Sequence, residues 1–437
     1  MPRYTLGMYF NGARGIRATK DLQDVAAQNI ETILTTLSAG PSGLPCFRSI
    51  PVRYSRDNDQ YCRPTRTGGG CNVVKLWNGI RDFELRALGE NKLSPTTGAD
   101  VNAPPYYMLT ASGLQSFAQQ VMTASTGDET ALWLWGHGQG PGAVISINLE
   151  LLSQPNQPAY FQQPIVNHLK ALESEWLTPG EIELALKGAL PSGKFLGVII
   201  FESCSVCTLE LASSLHTSAK FAIASQAEIL SEGGWNYSSW PNVFCTESAY
   251  GANVIAIGLV TDYMKEKSSK SCVSALDLTH IPGLLEAIGT VADKALADTE
   301  LATALLTARK RCLATHTDEL VKVLGAKQRV DIAMLFSDAV RLLRDNPAQK
   351  FTEFAVDCRA VVSALERVVI KNGATPDLRS LVNGLSIWFP ASNDKDCVTE
   401  YSKYVYFADT TGAPPELNEF KKRTRWDQLL KKLIPAL

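Results

Sequence analysis

The stretch Phe195-Leu-Gly-Val-Ile-Ile-Phe-Glu-Ser-Cys-Ser-Val-Cys207 indicates how this chain folds. Its first part, Phe195 to Phe201, has no polar side chain, and a short apolar run of this kind is typical of a strand buried on both faces. The polar residues Glu202 to Ser205 end the run, and helical spacing of apolar residues begins at about Val206. A buried strand followed directly by a helix is typical of a parallel sheet covered by helices.

The same alternation of strands and helices extends on both sides of this stretch. Apolar runs and helical spacing predict strands at Tyr4 to Phe10, Ala131 to Trp135 and Phe221 to Ala224, and helices at Asp21 to Leu37, Leu114 to Met122 and Thr178 to Leu190. Between Ser248 and about Leu381 the spacing is helical almost throughout. We therefore predict an α/β fold with a mostly parallel sheet flanked by helices.

The change of pattern near residue 260 predicts two domains. Residues 1–260 would contain the sheet, with residues 39–70 as a flexible insertion, because that segment is rich in Pro, Gly, Arg and Asp and ends in three glycines. Residues 261–437 would be mostly helical, with strands returning near 384–389 and 404–407.

Charge and hydropathy exclude several classes of protein. Lys and Arg number 42 against 44 Asp and Glu, whereas a dedicated nucleic-acid binder usually has a clear cationic excess. The basic segment Lys421 to Arg425, with Lys431 and Lys432, is therefore interpreted as a solvated helix face rather than a nucleic-acid site. No apolar run approaches the roughly 18 residues of a membrane span, so no membrane contact is expected.

The N-terminus and the cysteines predict a cytoplasmic location. Met1 to Gly12 lacks a charged leader followed by an apolar block, so no signal peptide is expected. Ten cysteines are too few for a disulfide scaffold in a chain of 437 residues. We expect most of them to be reduced, buried side chains.

Two predicted strands end in residues capable of nucleophilic chemistry. His137 lies between Gly136 and Gly138 after one strand, and Cys204 follows the other. Because functional residues gather at the carboxyl ends of strands in open α/β sheets, we expect both at one edge. Backbone N–H groups at a strand-to-helix turn would lower the pKa of the cysteine. The pattern predicts a Cys–His mechanism, with His137 handling the proton while Cys204 attacks an acyl carbon.

Other interpretations of these residues stay open at this point. A cysteine after a buried strand is often a packing residue, and Gly-His-Gly is often only a turn. Cys204 and Cys207 could instead form a thiol redox pair. The chain could also be a non-catalytic interaction scaffold. Cys62 and Cys71 do not have the spacing of a common zinc ligand hairpin, so no metal site is expected.

A family resemblance extends over nearly the whole chain. The matching segments, in order, are Met8 to Gly12, His137-Gly138, Glu202-Ser203-Cys204, Glu210 to Ala212, Ala224 to Glu228, Gly234 to Tyr237, Ser274 to Leu278, Val330 to Ile332, Gly384 to Pro390 and Trp426. With these segments the chain resembles the clostripain-like cysteine peptidases, relatives of the caspases, gingipains and legumains. The resemblance implies a caspase-like fold, protein or peptide substrates and endopeptidase activity.

The resemblance also implies roles for individual residues. His137 and Cys204 would be catalytic, and the backbone N–H groups of Gly138 and Cys204 would form the oxyanion hole. Cleavage would follow Arg or Lys, because a pocket carboxylate pairs well with a cationic side chain. The family's pocket Asp, two residues before the Cys, is Glu202 here, and its extra methylene leaves the preference between Arg and Lys open.

Further pocket residues are expected downstream of the nucleophile. Glu232 and Glu228 are candidates for a second pocket carboxylate, and Ser225 lies in the same matching segment. Asp277 and Asp331 match family landmarks but lie in apolar periodic segments, so we expect them to be structural or capping residues.

The resemblance bears on activation as well. Relatives are often made as zymogens that are cut between the His and Cys strands, which makes Lys170 a candidate processing site. Arg66 is the other candidate, because the glycines that follow it indicate a more flexible segment. Another protease or a regulatory partner could activate the chain instead.

Some relatives depend on calcium, but no acidic loop here has calcium-ligand spacing, so no cofactor is expected. A regulated role in defence or cell death is the corresponding expectation.

Overall fold

The computed structural model describes residues 4–11, 26, 28–30, 32–33, 36, 47–56, 60–64, 71–75, 79–88, 92–95, 99–101, 108–125, 129–138, 140, 144–146, 176–229, 234–247, 251–344, 346–392, 406–407, 418–435 and 437. Its strands are β1 (Tyr4–Asn11), β2 (Phe47–Arg56), β3 (Gln60–Pro64), β4 (Cys71–Lys75), β5 (Gly79–Leu88), β6 (Lys92–Pro95), β7 (Ala99–Val101), β8 (Glu129–Trp135), β9 (Ile145–Ser146), β10 (Trp176–Leu177), β11 (Leu196–Glu202), β12 (Ala219–Ala224), β13 (Cys272–Asp277), β14 (Arg329–Asp331), β15 (Val369–Ala374) and β16 (Ser386–Trp388). Its helices are α1 (Ala111–Ala124), α2 (Pro179–Ala189), α3 (Leu209–Leu215), α4 (Trp240–Glu247), α5 (Ala252–Met264), α6 (Ile281–Ala297), α7 (Thr299–Ala314), α8 (Asp318–Val323), α9 (Ile332–Leu343), α10 (Gln349–Val368), α11 (Asn418–Thr424) and α12 (Trp426–Leu433).

The main sheet is parallel at its centre and antiparallel at both sides. Its strand order is β15-β13-β12-β11-β8-β1-β2-β5-β6, with β7 paired to β5. The strands from β12 to β2 in this order are parallel, and the flanking pairs are antiparallel. The predicted α/β fold, with helices against a parallel sheet, is thereby confirmed.

The apolar runs of β8 and β11 divide between two cores on opposite faces of the sheet. Leu132 and Phe201 belong to one buried cluster, together with residues of α1, α2, α3 and the C-terminal helices. Trp133 and Ile200, their neighbours in sequence, belong to the other, together with residues of α4 and α5. Because side chains alternate faces along a strand, burial on both sides explains why these strands are apolar throughout.

The helix α2, which precedes β11 in the chain, begins at a capping box. Thr178 accepts a hydrogen bond from the backbone N–H of Glu181 at 3.1 Å, and the Glu181 carboxylate accepts one from the N–H of Thr178 at 2.9 Å. Pro179 occupies the first turn, where its missing N–H has no cost. Such local signals explain why this helix could be predicted from sequence to within one residue at each end.

The prediction that residues 39–70 are one flexible insertion is wrong where the structure describes them. Residues 47–56 form β2, which pairs in parallel with β1, and residues 60–64 form β3. The strand contains a proline and several polar residues, one of which, Arg53, is buried. Its guanidinium donates to the carbonyl of Gly113 at 2.8 Å and to the hydroxyl of Ser116 at 2.7 Å. Those partners come from α1, so the local pattern could not reveal the strand.

The C-terminal half supplies strands as well as helices. β13 and β15 extend the main sheet from beyond residue 260, and both lie in segments that were predicted to be helical. β16 confirms the strand expected near 384–389, and it pairs with β14. Residues 406–407, expected in a strand, are helical instead. Tyr406 and Phe407 both contact Trp388, and two adjacent aromatic residues do not distinguish helix from strand.

The basic C-terminal segment makes contacts within the chain. Lys432 donates to the carbonyls of Ala295 and Leu296 at 3.0 and 2.9 Å, at the C-terminal end of α6. Arg425 pairs with Asp293 at 2.7 Å. Lys432 thus stabilises the end of a helix and Arg425 forms an ion pair, so part of the segment interpreted as a solvated helix face contacts the rest of the chain.

Most described cysteines are free thiols. These are Cys204, Cys207, Cys272, Cys312 and Cys358, whereas Cys245 is disulfide-bonded. In the described part of the chain, no helix is both long and apolar enough to cross a membrane.

Candidate active site

The two strands that end in His137 and Cys204 are neighbours in the sheet. β8 and β11 are parallel, with Trp135 opposite Glu202. The backbone N–H of Gly136 donates to the carbonyl of Glu202 at 3.3 Å. His137 lies two residues after Trp135 and Cys204 two residues after Glu202, so both residues leave the sheet at the same edge.

Gly138 brings the two strand ends into direct contact. A Cβ atom at this glycine would lie 2.4 Å from the carbonyl oxygen and 2.8 Å from the nitrogen of Cys204. No side chain fits in that space. The close approach places the backbone N–H of Gly138 at the thiol of Cys204, where its hydrogen bond lowers the thiol pKa.

The turn after Cys204 has a strained backbone. Ser205 has a φ angle of 63°, although it is not a glycine. A non-glycine residue in the left-handed region persists where surrounding contacts hold it, and such residues cluster at active sites. Here the N–H of Ser205 donates to the carbonyl of Ala227 at 2.9 Å, which holds the turn beside the segment that follows β12.

The Cys204 thiol is held by the main chain of Ile229. Its sulfur accepts a hydrogen bond from the Ile229 N–H at 3.2 Å and lies 3.5 Å from the Ile229 carbonyl oxygen. Burial raises the pKa of the thiol and the Glu228 carboxylate raises it further, whereas the N–H groups of Ile229 and Gly138 and the Arg329 guanidinium lower it. The net effect is a raised pKa, so the thiol is protonated at neutral pH.

This outcome corrects the expected depression of the thiol pKa by a helix N-terminus. The helix α3 does not begin at Cys204 but at Leu209, with Thr208 as its N-cap. Its first N–H groups are therefore directed to Thr208, which accepts from Leu211 at 3.4 Å. The burial of the sulfur then dominates its pKa.

The His137 imidazole is neutral and has an available nitrogen. Its Nε2 atom is buried without a hydrogen-bond partner among the described residues. Burial lowers the pKa of the imidazole, because the charged form loses hydration. A neutral imidazole with an unpaired nitrogen can accept a proton, and this one leaves the sheet at the same edge as Cys204.

Glu202 is buried beneath this edge with only 6% of its surface exposed. Its carboxylate accepts hydrogen bonds from the indole Nε1 of Trp133 at 3.0 Å, from the N–H of Trp235 at 3.3 Å and from the hydroxyl of Tyr237. Burial raises its pKa to about 7, although these three donors and the charge of Lys267 lower it. The described structure thus places this carboxylate against internal donors rather than at an open pocket.

The other predicted pocket residues differ in exposure. Ser225 is buried, and its hydroxyl lies 2.7 Å from the carbonyl oxygen of Cys272 and 2.9 Å from that of Ala227. Glu228 is exposed at its side chain, and burial raises its pKa while Arg329 lowers it. Glu232, Lys170 and Arg66 lie outside the described residues. The structure therefore brings His137, Gly138, Cys204, Glu202 and Glu228 to one edge and turns Ser225 inward.

Two cations near this edge were not predicted from the sequence. Lys267 donates to the carbonyl of Gly234 at 2.6 Å and lies 4.6 Å from the ring centroid of Tyr263. Arg329 is 4% exposed and donates to the carbonyl of Leu324 at 2.7 Å. The only sequence signal for Arg329 was its position directly before the matching segment Val330 to Ile332.

A second buried glutamate joins the helix after Cys204 to the C-terminal segment. Glu210, on α3, accepts hydrogen bonds from the N–H of Trp388 at 2.7 Å and from the hydroxyl of Tyr406. Burial raises its pKa. The indole of Trp426, on α12, donates to the carbonyl of Trp388 at 2.9 Å. We call these contacts among Glu210, Trp388, Tyr406 and Trp426 the C-terminal seam.

Asp277 and Asp331 have the capping roles expected from the sequence. Asp277 accepts a hydrogen bond from the N–H of Thr279 at 3.0 Å. Asp331 accepts from the N–H of Met334 at 3.0 Å, at the start of α9. Asn383 and Gln226 donate to the same Asp331 carboxylate, so this residue also ties the segment after β12 to the C-terminal half.

The structure disfavours a redox pair at Cys204 and Cys207. Both are free thiols, and the Cys207 sulfur lies 3.1 Å from the carbonyl of Gly384, far along the chain. Burial raises the Cys207 pKa well above its usual range, which suppresses the reactive thiolate. Among the described residues there is also no cluster of His, Cys, Asp and Glu that could hold a metal ion.

Comparison with protein families assigns the chain. The family model described as the clostripain family matches residues 96–432, which include both strand ends and the C-terminal seam. The chain belongs to the clostripain family. It is therefore a C11 cysteine peptidase, as its sequence resemblance implied.

Solved structures agree with the fold of this clostripain-family peptidase. A secreted C11 cysteine protease from Bacteroides thetaiotaomicron, in complex with an irreversible peptide inhibitor, has a TM-score of 0.57 and 12% identity, covering 98% of this chain and 99% of that one. An inactive zymogen C11 protease from Parabacteroides distasonis has a TM-score of 0.53 and 16% identity, with the same coverage. No curated protein matches the chain.

Proposed function

We propose that Cys204 is the nucleophile and His137 the general base and acid of an endopeptidase. The contact of Gly138 with the Cys204 backbone is the observation that supports this most strongly, because it brings both strand ends to one point. His137 takes the thiol proton through Nε2 as the sulfur attacks the peptide carbonyl. It then gives that proton to the departing amine, and water hydrolyses the thioester that remains.

The oxyanion of the intermediate needs donors that already point at it. We assign this role to the backbone N–H groups of Gly138 and Cys204, which lie at the edge shared by β8 and β11. Donors fixed in the fold before the reaction stabilise a developing charge by a few kcal/mol.

Cleavage after Arg or Lys is proposed from the charge of the same edge. Glu202 and Glu228 are the carboxylates the structure describes near Cys204, and Glu232 is a third candidate from sequence. The internal hydrogen bonds of Glu202 mean that it would attract a P1 cation mainly through its charge. A carboxylate with a pKa of about 7 exerts that charge fully only above neutral pH.

The described state resembles a resting enzyme. Its thiol sulfur accepts a hydrogen bond from the Ile229 N–H and lies 3.5 Å from the Ile229 carbonyl oxygen, so the main chain of Ile229 occupies one side of the sulfur. The Parabacteroides distasonis relative is described as an inactive zymogen. We therefore propose activation by cleavage at Lys170 or Arg66, or by another protease or regulatory partner.

The first experiment is a fluorogenic peptide panel with Arg, Lys or Asp at P1. We expect the processed wild type to cleave the Arg and Lys substrates, and Cys204→Ala and His137→Ala to lose more than a thousandfold in kcat/KM. Cys207→Ala is the matched control and should retain activity. Undiminished cleavage by Cys204→Ala would refute the assignment of Cys204 as the nucleophile, and preference for Asp would refute the assignment of the pocket carboxylates.

Full activity in EDTA is expected, and its loss would reveal a calcium requirement.

The second experiment tests processing. Purified wild type should break into discrete fragments on incubation while Cys204→Ala remains whole, and N-terminal sequencing should place the cut after Lys170 or Arg66. Identical fragmentation of both proteins would contradict processing by the enzyme itself.

A cytoplasmic, regulated role in defence or cell death is the broader proposal. The five free thiols agree with a reducing compartment. The disulfide at Cys245 and the secreted Bacteroides thetaiotaomicron relative oppose it. Fractionation of the native cell, followed by detection of the protein, decides between the two locations.

A further inference from the structure

Arg329 joins the C-terminal half of the chain to the active-site edge. It is the first residue of β14, where it pairs with Trp388 of β16. Its guanidinium donates to the carbonyl of Leu324 at 2.7 Å. Just before Leu324, the carbonyl of Val323 accepts a hydrogen bond from the N–H of Glu228 at 3.0 Å. The segment before β14 is thus attached to the segment that holds the Cys204 thiol.

The guanidinium lies between two glycines with positive φ. A Cβ at Gly140, whose φ is 95°, would lie 2.4 Å from one terminal nitrogen of Arg329. A Cβ at Gly325, whose φ is 57°, would lie 2.4 Å from the other. Gly140 lies three residues after His137, so this contact supports the turn that presents the imidazole. The three atoms nearest to such a Cβ at Gly140 all belong to Arg329.

The charged and titratable side chains that affect the Cys204 thiol come from three elements. Arg329, from β14, is the cation that lowers its pKa, and Glu228, from the segment after β12, raises it. His137 leaves the sheet at the same edge, after β8, and burial lowers the pKa of its imidazole. Tyr263, from α5, is also close enough for the two groups to affect each other. Arg329 is therefore the cation acting against burial and against Glu228.

We propose that Arg329 is a positioning residue of this peptidase: its guanidinium supports the His137 turn through the close approach to Gly140 and brings a positive charge to the edge that holds Cys204. The proposal rests on the assignment of Cys204 as the nucleophile. Arg329 touches neither substrate nor reacting atoms, and it acts through the two residues that do. The contact also makes the active site dependent on the C-terminal half, because the cation reaches it from β14.

The test compares Arg329→Met and Arg329→Lys with the matched control Arg309→Met. Arg309 is similarly buried and donates to the carbonyls of Phe389, Ala326 and Lys327. Iodoacetamide alkylation of Cys204 as a function of pH reports the thiol pKa in the full-length protein. The same alkylation of the Cys204→Ala variant measures the signal of the other thiols, which is then subtracted.

We expect Arg329→Met to lower kcat/KM by about tenfold and to move the alkylation profile to higher pH by about one pH unit. Arg329→Lys keeps the charge, so its alkylation profile should stay near that of wild type while kcat/KM falls. Arg309→Met should lower the melting temperature without moving the profile. A shift in the control as large as that in Arg329→Met would overturn the proposal.

A double-mutant cycle with Gly140→Ala tests the contact itself. The added methyl group displaces the guanidinium, so Gly140→Ala alone should reduce kcat/KM. In the Arg329→Met background the same change should cost less, because the clash with the guanidinium is gone, whereas the strain of an alanine at a φ of 95° is the same in both backgrounds and cancels in the cycle. Additive effects would overturn the positioning role. If Cys204→Ala is inactive while Arg329→Met behaves as wild type, this inference fails and the proposed nucleophile stands.

Discussion

Two buried glutamates lie eight residues apart on either side of the Cys204 turn, and their surroundings are similar. Glu202 ends β11 and accepts hydrogen bonds from a Trp N–H, a Tyr hydroxyl and an indole. Glu210 lies on α3 and accepts from a Trp N–H and a Tyr hydroxyl. Burial raises the pKa of both.

The difference between them lies in what their neighbours connect. The donors to Glu202 belong to the sheet and to the segment 235–237, and Glu202 itself is affected by the Lys267 charge and lies two residues before Cys204. The donors to Glu210 come from the C-terminal segment, so its hydrogen bonds join distant parts of the chain. One buried glutamate therefore lies at the edge that holds Cys204 and the other joins the two halves of the chain, and burial alone does not distinguish them.

The largest expected effect is on the free energy of unfolding, through Glu210 in the C-terminal seam. Glu210→Ala leaves the Trp388 N–H and the Tyr406 hydroxyl without their buried acceptor, so the free energy of unfolding should fall by about 4 kcal/mol. The measurement is chemical denaturation, with Glu183→Ala as control, because the Glu183 side chain is 21% exposed and its partner Lys187 lies at the surface. The remaining folded fraction should keep its kcat/KM, and a specific loss of activity there would erase the distinction drawn between the two glutamates.

The pH dependence of stability should identify Glu202. Its folded pKa of about 7 exceeds its ordinary value of 4.5, so the folded state holds the proton more tightly than the unfolded state. Its stabilising contribution is therefore complete below pH 4.5 and is lost as the pH rises to 7, by about 3 kcal/mol. We expect unfolding measurements on wild type and Glu202→Gln to diverge in this direction across that range. A constant difference would show that the carboxyl is already ionised at pH 5.

A smaller effect is expected on substrate preference, again from a substitution of Glu202. Glu202→Gln removes the charge but keeps the shape, so kcat/KM for Arg and Lys substrates should fall by about tenfold, with a neutral P1 substrate as the internal control. Glu210→Gln is the matched variant and should leave the ratio between substrates unchanged. Equal losses on basic and neutral substrates would indicate a structural role for Glu202.

The smallest effect is expected at Glu228. Its side chain is exposed, so Glu228→Gln should lower kcat/KM on basic substrates by only about threefold, and less at high salt. An effect larger than that of Glu202→Gln would make Glu228 the principal pocket carboxylate. The measurement is the same peptide panel at two salt concentrations.

The strand ends could be predicted because the apolar runs before His137 and Cys204 are local signals. The parallel-sheet rule then placed both residues at one edge. The strand β2 could not be predicted, because it contains the buried Arg53, whose hydrogen-bond partners lie on α1. Three features of the site also depend on contacts between distant parts of the chain, so the sequence could not reveal them. These are the position of Arg329 beside Gly140, the contact of the Cys204 thiol with Ile229, and the enclosure of Glu202 by Trp133 and Tyr237.

The pairing of β8 with β11 determines what becomes of a molecule cut at Lys170. Val198 to Glu202 lie in register with Ala131 to Trp135, so the two pieces would share the central hydrogen bonds of one sheet. Such a molecule would elute from a sizing column as a single species and show two bands only after denaturation. The mature enzyme would then be a permanent heterodimer made from a single gene product.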